Sequence, residues 1–299
     1  MPDPARLDIQ KTYKLYIGGA FPRSESGRSE PIRGADGSVL GHASKASRKD
    51  LRDAVTAARA GLSKWKSATA YNRGQVLYRM AEMLQGKRTE FIELLTSGGI
   101  GLRPLSAGAG LQPADEVNAA IERLVYFAGW CDKYAQVLGV QNHVAGPYWN
   151  LSTPEPTGVI GVVCPPDAPL LGLVTLIAPS ICTGNAAVAI SPAFAPVVST
   201  FGEVCATSDL PAGVVNLLTG SADELAPVLA MHRDIDGITA VAGTLTPELT
   251  KVLKEGAADN LKRVRIFPAA DLFDAAAWHH PGLLEATVET KTVWHPVGA

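Results

Sequence analysis

Four cysteines, Cys131, Cys164, Cys182 and Cys205, are the groups of this 299-residue chain best suited to nucleophilic chemistry. A thiol acts as a nucleophile only as the thiolate, which needs a neighbouring cation, a histidine or a helix N-terminus. Cys164 borders a loop that could face a substrate, but no His or Glu stands near it in sequence. The other three fall on helical stretches at core spacing, where a free Cys is a small hydrophobe. No C-x-x-C pair joins any two of them, which fits neither a compact disulfide framework nor a zinc site. As a set they read as reduced, mostly buried thiols. His279-His280 is the only His pair, and adjacent residues point in different directions, so a shared metal would require a third ligand. A solvated linker is the reading. At Gly243-Thr244 nucleotide binding and plain helix capping are both open. Gly108-Ala109-Gly110-Leu111-Gln112-Pro113 begins like a dinucleotide fingerprint but lacks the third Gly and a preceding strand, and reads as a flexible loop. Lys262, Arg263 and Arg265 read as the solvated flank of a strand.

The elements that must position these groups follow from periodicity. Residues 14–17 and 39–42 read as short strands around Gly18-Gly19, a small antiparallel start. Ser47 precedes Asp50 by three residues in capping-box fashion, and Leu51, Val55, Ala58, Leu62 and Trp65 recur at helical spacing. Helices follow through Val76–Leu84 positions and through Phe91, Ile92 and Leu95, then a Gly/Ser/Pro-rich loop over residues 96–112, then a long helix through Val117, Ile121, Leu124 and Val125 ending near Tyr134. Beyond Pro156, buried strands at 159–163, 187–190, 214–218, 238–241 and 264–267 alternate with helices at about 170–181, 197–207, 223–231 and 247–255. That alternation predicts an α/β fold with a doubly wound parallel sheet covered by helices on both faces. Residues 286–294 alternate with period two, as a strand with no obvious sequence neighbour.

With 46% hydrophobic and 19% charged residues the chain can bury a large core, which excludes disorder and coiled coil. A formal charge of −2 offers no basic footprint, so nucleic acid is not an expected partner. The start, Met1-Pro2-Asp3-Pro4, has neither a basic nor an apolar leader region, and the longest apolar run, residues 170–182, falls short of the roughly 20 residues needed to cross a bilayer. A cytoplasmic protein without a membrane partner is expected.

Several runs resemble the NAD(P)-dependent aldehyde dehydrogenases. They are Tyr16-Ile17-Gly18-Gly19-Ala20-Phe21, Tyr126-Phe127-Ala128-Gly129-Trp130, Pro156-Thr157-Gly158-Val159-Ile160-Gly161, Gly184-Asn185-Ala186, and Leu210-Pro211-Ala212-Gly213-Val214-Val215-Asn216 with Thr219-Gly220. The resemblance covers nearly all of residues 14–245. Gly282-Leu283-Leu284-Glu285 through Val288 to Trp294 looks like the last segment of the same family, whose terminal strand joins the sheet of a neighbouring subunit. Between the last parallel strand and this tail stand only residues 268–281, where the family places a catalytic domain.

The resemblance implies a catalytic inventory that this sequence does not match. The family's nucleophilic Cys lies beyond the dinucleotide-binding strands, but all four cysteines here precede Leu210. The Glu-Leu-Gly-Gly-Lys segment that carries the base corresponds to Asp259-Asn260-Leu261-Lys262-Arg263. The Pro-Trp-Asn-Phe-Pro that supplies an oxyanion donor appears as Pro165-Pro166-Asp167-Ala168-Pro169, and an ionised Asp167 only accepts hydrogen bonds. Lys-Pro-Ser-Glu, which reaches the adenosine ribose, becomes Ser191-Pro192-Ala193-Phe194; Phe-Thr-Gly-Ser at the pyrophosphate becomes Val241-Ala242-Gly243-Thr244.

The expectation is an aldehyde dehydrogenase-like pseudoenzyme, similar to the non-catalytic second unit of two-unit aldehyde dehydrogenases. It has no catalytic residues, no required cofactor and no metal, and retains at most weak NAD or NADP binding through the vestigial positions Gly243, Thr244, Ser191 and Pro192. Four parts are expected: an N-terminal helical and β part over residues 1–140, an oligomerisation strand over 141–155, a Rossmann-like core over 156–270, and a linker with a second oligomerisation strand over 271–299. The segments from Tyr148 to Thr153 and from Leu284 to Trp294 would carry assembly with further copies or with a full-length aldehyde dehydrogenase. The alternative is an active NAD(P)-dependent aldehyde oxidoreductase or a nucleotide-binding sensor.

Overall fold

The computed structural model describes residues 9–100 and 110–298. The N-terminal part runs β1 (Thr12–Tyr13), β2 (Ser29–Arg33), β3 (Val39–Ser44), α1 (Arg48–Ser67), α2 (Ala70–Gly86), α3 (Arg88–Ser97), α4 (Pro113–Ala128) and α5 (Tyr134–Leu138). It continues through β4 (Val140–Asn142) and β5 (Tyr148–Pro156) into the alternating core. The core comprises β6 (Val159–Val163), α6 (Leu171–Cys182), β7 (Ala186–Ser191), α7 (Ala195–Ala206), β8 (Val215–Thr219), α8 (Ala222–Met231), β9 (Gly237–Val241), α9 (Pro247–Ala258) and β10 (Arg263–Phe267). Two short helices, α10 (Ala275–Trp278) and α11 (Gly282–Glu285), lead to β11 (Val288–Pro296).

The core sheet is parallel throughout, in the order β10-β9-β6-β7-β8. Strands β6 to β9 are buried at every position because both faces are covered, whereas the edge strand β10 keeps Arg263 and Arg265 exposed. Ile160, Val162, Ala187, Ala189 and Leu217 point into a cluster with α4, α6 and α7. Val159, Val163, Val188, Ile190 and Leu218 point into a second cluster with α1 and α8. The chain moves from β6 outward to β8, then returns across the sheet to β9 on the other side of β6. The order therefore reverses between β6 and β9, where an open α/β sheet leaves a crevice at the carboxyl ends of its strands.

The capping box at α1 is present: Ser47 Oγ accepts from the Asp50 amide at 3.2 Å and Asp50 Oδ2 accepts from the Ser47 amide at 2.7 Å. Other local expectations change in tertiary context. The start is a mixed sheet, β1 parallel and β2 antiparallel to β3. Residues 14–17 do not form a strand of their own; Tyr16 instead exchanges two backbone bonds with Leu217 at 3.0 and 2.7 Å, covering the outer edge of β8. The long helix stops at Ala128, and a turn separates it from α5. Part of the loop over residues 96–112, including Gly108 and Ala109, lies outside the described residues, while Gln112 and Pro113 open α4.

The C-terminal strand has a partner after all. β11 pairs antiparallel with β5 over its whole length, from Val288 opposite Pro156 to Pro296 opposite Tyr148, and β4 pairs with the other side of β5. The strand begins at Val288; Leu284 belongs to α11 and is fully buried. Sequence distance hid the pairing, since 140 residues separate Ser152 from Thr292, whose hydroxyls meet at 2.9 Å.

Candidate functional site

The crevice between β6 and β9 is lined by Pro165, Asp167 and Ala168 after β6, by Ala242, Gly243 and Thr244 after β9, and by Ala269 to Phe273 from the segment after β10. Its volume is about 260 Å³, below the roughly 300–1,000 Å³ of pockets that bury a drug-sized ligand. The segment after β10 is fixed there by named bonds. The Ala242 amide donates to Phe267 O at 2.8 Å, Trp278 Nε1 to Asp271 O at 3.0 Å and Arg123 Nη2 to Leu272 O at 2.9 Å. Trp278 is buried and meets the Phe267 ring edge-on at 6.0 Å. These contacts anchor the stretch to the sheet end at Leu272 and Trp278, while residues 268–271 and 274–276 stay exposed as a solvated linker. His279 adds to the anchor, stacked flat on Tyr126 at 4.5 Å, and burial together with Arg123 holds its imidazole below the ordinary histidine range. His280 stays exposed, and among the described residues no group of three His, Cys, Asp or Glu could hold a metal ion.

Cys164 does not serve the crevice. Its amide donates to Ile190 O at 2.9 Å, its side chain lies in the core cluster beneath the loop, and complete burial pushes the thiol far above its usual range. A thiol held neutral in an apolar core with no cation beside it is inert as a nucleophile. All four cysteines are buried and free.

Gly243 adopts φ of 82°, a conformation only glycine takes without strain, and a Cβ there would stand 3.4 Å from Ala269. Thr244 turns its hydroxyl back to Val241 O at 2.7 Å, so that proton is committed to the turn. The α9 N-terminus beyond it is already satisfied: Thr246 Oγ1 accepts from the Leu249 amide at 3.1 Å, Pro247 contributes no N–H, and Glu248 places negative charge in the first turn. A phosphate would meet few free donors and a repelling carboxylate.

The ribose end of the crevice is altered in the same sense. Ser191 ends β7 with its Oγ buried and without a partner among the described residues, away from the neighbouring groove. That groove, about 220 Å³, is lined by Pro192, Ala193, Thr219 and Ser221, and the ammonium of its Lys45 is paired with Glu30 at 2.5 Å. Phe194 turns its ring onto α3, close enough that a Cβ at Gly98 would be 2.9 Å from it. The position implied to recognise ribose hydroxyls carries a packed aromatic ring.

Two buried ionic groups were not singled out by the sequence reading. Glu116, on α4, accepts from the Leu170 and Leu171 amides at 2.9 and 3.1 Å, so its carboxyl occupies the N-terminus of the first helix after β6. Burial raises its pKa against those two bonds. Arg123, two turns along, bonds Thr175 Oγ1 as well as Leu272 O, and burial lowers its pKa to about 10. Glu116, Ala120, Arg123 and Phe127 form one stripe at helical spacing, and a polar residue on an apolar stripe is the signal that could have found them. Lys262 also departs from expectation. It is buried, donates to His232 O at 2.7 Å, and desolvation lowers its pKa to about 8. Arg263 reaches across to Val288 O at 3.0 Å.

Residues 21–266 match the sequence profile described as the Aldehyde dehydrogenase family. The chain is 32% identical over 270 residues to the Mus musculus protein named cytosolic 10-formyltetrahydrofolate dehydrogenase, covering 87% of this chain and 29% of that protein. It is 33% identical over 303 residues to retinal dehydrogenase 2 of Gallus gallus, covering 95% of this chain and 55% of the relative. The fold is similar to that in a solved NAD+ complex of an aldehyde dehydrogenase from Bacillus cereus, with a TM-score of 0.76, 22% identity, and coverage of 87% of this chain and 51% of that one. The chain thus spans about half the length of retinal dehydrogenase 2 and of the solved neighbour, and under a third of the formyltetrahydrofolate dehydrogenase.

Proposed function

The chain belongs to the aldehyde dehydrogenase family, and we propose that within it this protein is a non-catalytic subunit, structural or regulatory, that assembles with further copies or with a full-length aldehyde dehydrogenase. The observation that carries the reading is the crevice at the β6/β9 reversal: the chain's own segment from Ala269 to Phe273 lines it, and its nearest thiol, Cys164, is sealed in the core. Aldehyde oxidation on this family's plan needs an accessible thiolate, an oxyanion donor and a bound nicotinamide. The residues present fit none of these requirements. Asp167 stands where a donor amide is implied, Phe194 where a ribose contact is implied, and the α9 N-terminus is already satisfied. A dinucleotide does not fit this set, so no cofactor is required and residual NAD or NADP binding at Gly243 and Thr244 is weak. A nucleotide-binding sensor is the second reading, favoured only by the glycine turn at Gly243 and the small crevice beside it.

Assembly rests on the β4–β5–β11 sheet, where Tyr148, Trp149, Leu151, Val293 and Trp294 remain exposed. Exposed aromatic and aliphatic groups gathered on one sheet mark an interaction surface more often than an idle one. Light scattering after size exclusion, with the protein alone and then mixed with a full-length aldehyde dehydrogenase from the same organism, tests the reading while NAD reduction is followed in both samples. Stable oligomers with NAD reduction confined to the mixture are expected. A lone monomer at high concentration that ignores the partner, or a solitary protein that reduces NAD with an aldehyde, overturns it.

A further inference from the structure

Two of the four cysteines face one another. Cys131, in the turn after α4, points its thiol at Phe127 O at 3.5 Å and at the sulfur of Cys182 at 3.6 Å. Cys182 is the last residue of α6, and its carbonyl accepts from Arg73 Nε at 3.3 Å. Both sulfurs are screened from bulk water, but Cys131 also lines a groove of about 310 Å³ between α2 and α4, together with Tyr71, Gly74, Tyr78 and Gly129. Gly74 keeps that wall thin, since even a Cβ there would lie only 3.6 Å from the Cys131 Cβ. The remaining cysteines, Cys164 and Cys205, are buried with no sulfur partner among the described residues.

We propose that Cys131 and Cys182 are a redox modification site that closes to an intramolecular disulfide when a small peroxide enters the α2/α4 groove. A disulfide requires sulfurs about 2.05 Å apart, so the pair must approach by roughly 1.6 Å. Cys131 can supply the movement because it stands in a turn. The chemistry balances with one peroxide. Cys131 gives up its thiol proton and its sulfur attacks a peroxide oxygen, the O–O bond breaks, the leaving hydroxide takes up that proton and departs as water, and a sulfenic acid remains. The Cys182 sulfur then attacks the Cys131 sulfur as its own proton passes to the departing oxygen, the S–O bond breaks and a second water leaves. Two thiols are oxidised and the peroxide is reduced. Arg73 sits beside Cys182 and favours its thiolate, partly offsetting the burial that disfavours it. Closure would tie the α4–α5 corner to the end of α6.

The test treats the native full chain with hydrogen peroxide, quenches with catalase, unfolds it and alkylates the remaining thiols. The expected product has two of its four cysteines blocked, is about 2 Da lighter before alkylation through loss of two hydrogens, and yields one cross-linked peptide pair joining Cys131 to Cys182. Dithiothreitol restores all four thiols, and Cys131→Ser and Cys182→Ser each abolish the crosslink. The wild-type mapping stands even if a variant misfolds. Four alkylated cysteines after treatment, a crosslink through Cys164 or Cys205, or a crosslink formed only after unfolding with urea overturns the proposal.

Discussion

Asn185→Ala is expected to loosen the join between the parallel core and the C-terminal strand. The Asn185 side chain is fully buried and uses every polar atom: Oδ1 accepts from the Gly158 amide at 2.7 Å, and Nδ2 donates to Thr183 Oγ1, Thr287 O and Ser180 O at 2.8, 2.8 and 3.1 Å. After truncation Thr287 O keeps its bond from the Thr157 amide and Ser180 O keeps one from the Asn185 amide. The Gly158 N–H is left without its partner in the interior. An orphaned buried donor costs about 1–3 kcal/mol and the loss of the two Nδ2 N–H groups' bonding about 1 kcal/mol each, giving about 3–5 kcal/mol in all. That is a large share of the roughly 5–15 kcal/mol that holds a domain folded. In a urea titration followed by circular dichroism, with a slope of about 2–3 kcal/mol/M, the midpoint should fall by ~1–2 M. Thr287→Val removes the bonds from its hydroxyl to Leu284 O and Thr183 Oγ1, both 2.9 Å, and the double variant should cost less than the sum because the two sites share Thr183. A loss below about 1 kcal/mol for Asn185→Ala, with unchanged slope, refutes the reasoning.

Lys262 is protonated less readily in the folded chain than in the unfolded one. The unfolded state therefore binds the extra proton between pH of about 8 and the ordinary lysine range, and stability gained through this group rises with pH across that window. The difference in melting temperature between wild type and Lys262→Met, measured at pH 7 and again near pH 10, should change accordingly; a constant difference excludes the effect. For His279 the same sign places the loss at lower pH. Its neutral ring is stacked on Tyr126, so stability falls as pH drops below about 6.5, and His279→Gln should flatten that limb of the profile in thermal melts. Calorimetric titration with NAD or NADP should give no saturation at millimolar concentration, and a saturable isotherm abolished by Gly243→Ala would revive the nucleotide-sensor reading.

The parallel core was legible because a strand covered on both faces has no polar alternation to confuse it, as in Val159–Val163. The Ser47–Asp50 cap was legible because its whole mechanism is local. What escaped was set by contacts distant in sequence. Residues 14–17 carry a strand pattern, but Tyr16 spends its backbone bonds on Leu217, and β2, with Pro31 and Glu30, has no alternation to announce it. Lys262 belongs to a basic cluster that reads as a solvated flank, yet the sheet edge folds its ammonium onto His232 O. At the site, the altered residue types were visible in the sequence. The geometric outcome was not: that Thr244 bonds back to its own strand, that Phe194 packs on α3, and that Glu116 fills a helix N-terminus from another element.

The same contacts explain how the fold closes where its relatives are longer. Trp278, Leu283 and Leu284 are each no more than 2% exposed and pack into the core cluster shared with α4 and α6. Burying side chains of this size contributes about 1.5–3 kcal/mol apiece, against an ordering cost of about 1–2 kcal/mol for each backbone residue fixed. Those anchors alone do not hold the segment; the Arg123, Trp278 and Thr287 bonds must add to them, and each leads toward β11. The strand so placed is not an indiscriminate sticky edge. Lys291 pairs with Glu155 at 3.1 Å and Glu289 with Arg263 at 3.5 Å, and charges along a strand discourage pairing with arbitrary chains. A partner under the proposed assembly must therefore cover Trp149, Leu151 and Val293, which share one face of the sheet, while leaving or matching those ion pairs, and a second copy does so in a two-fold arrangement that apposes the same patch of both.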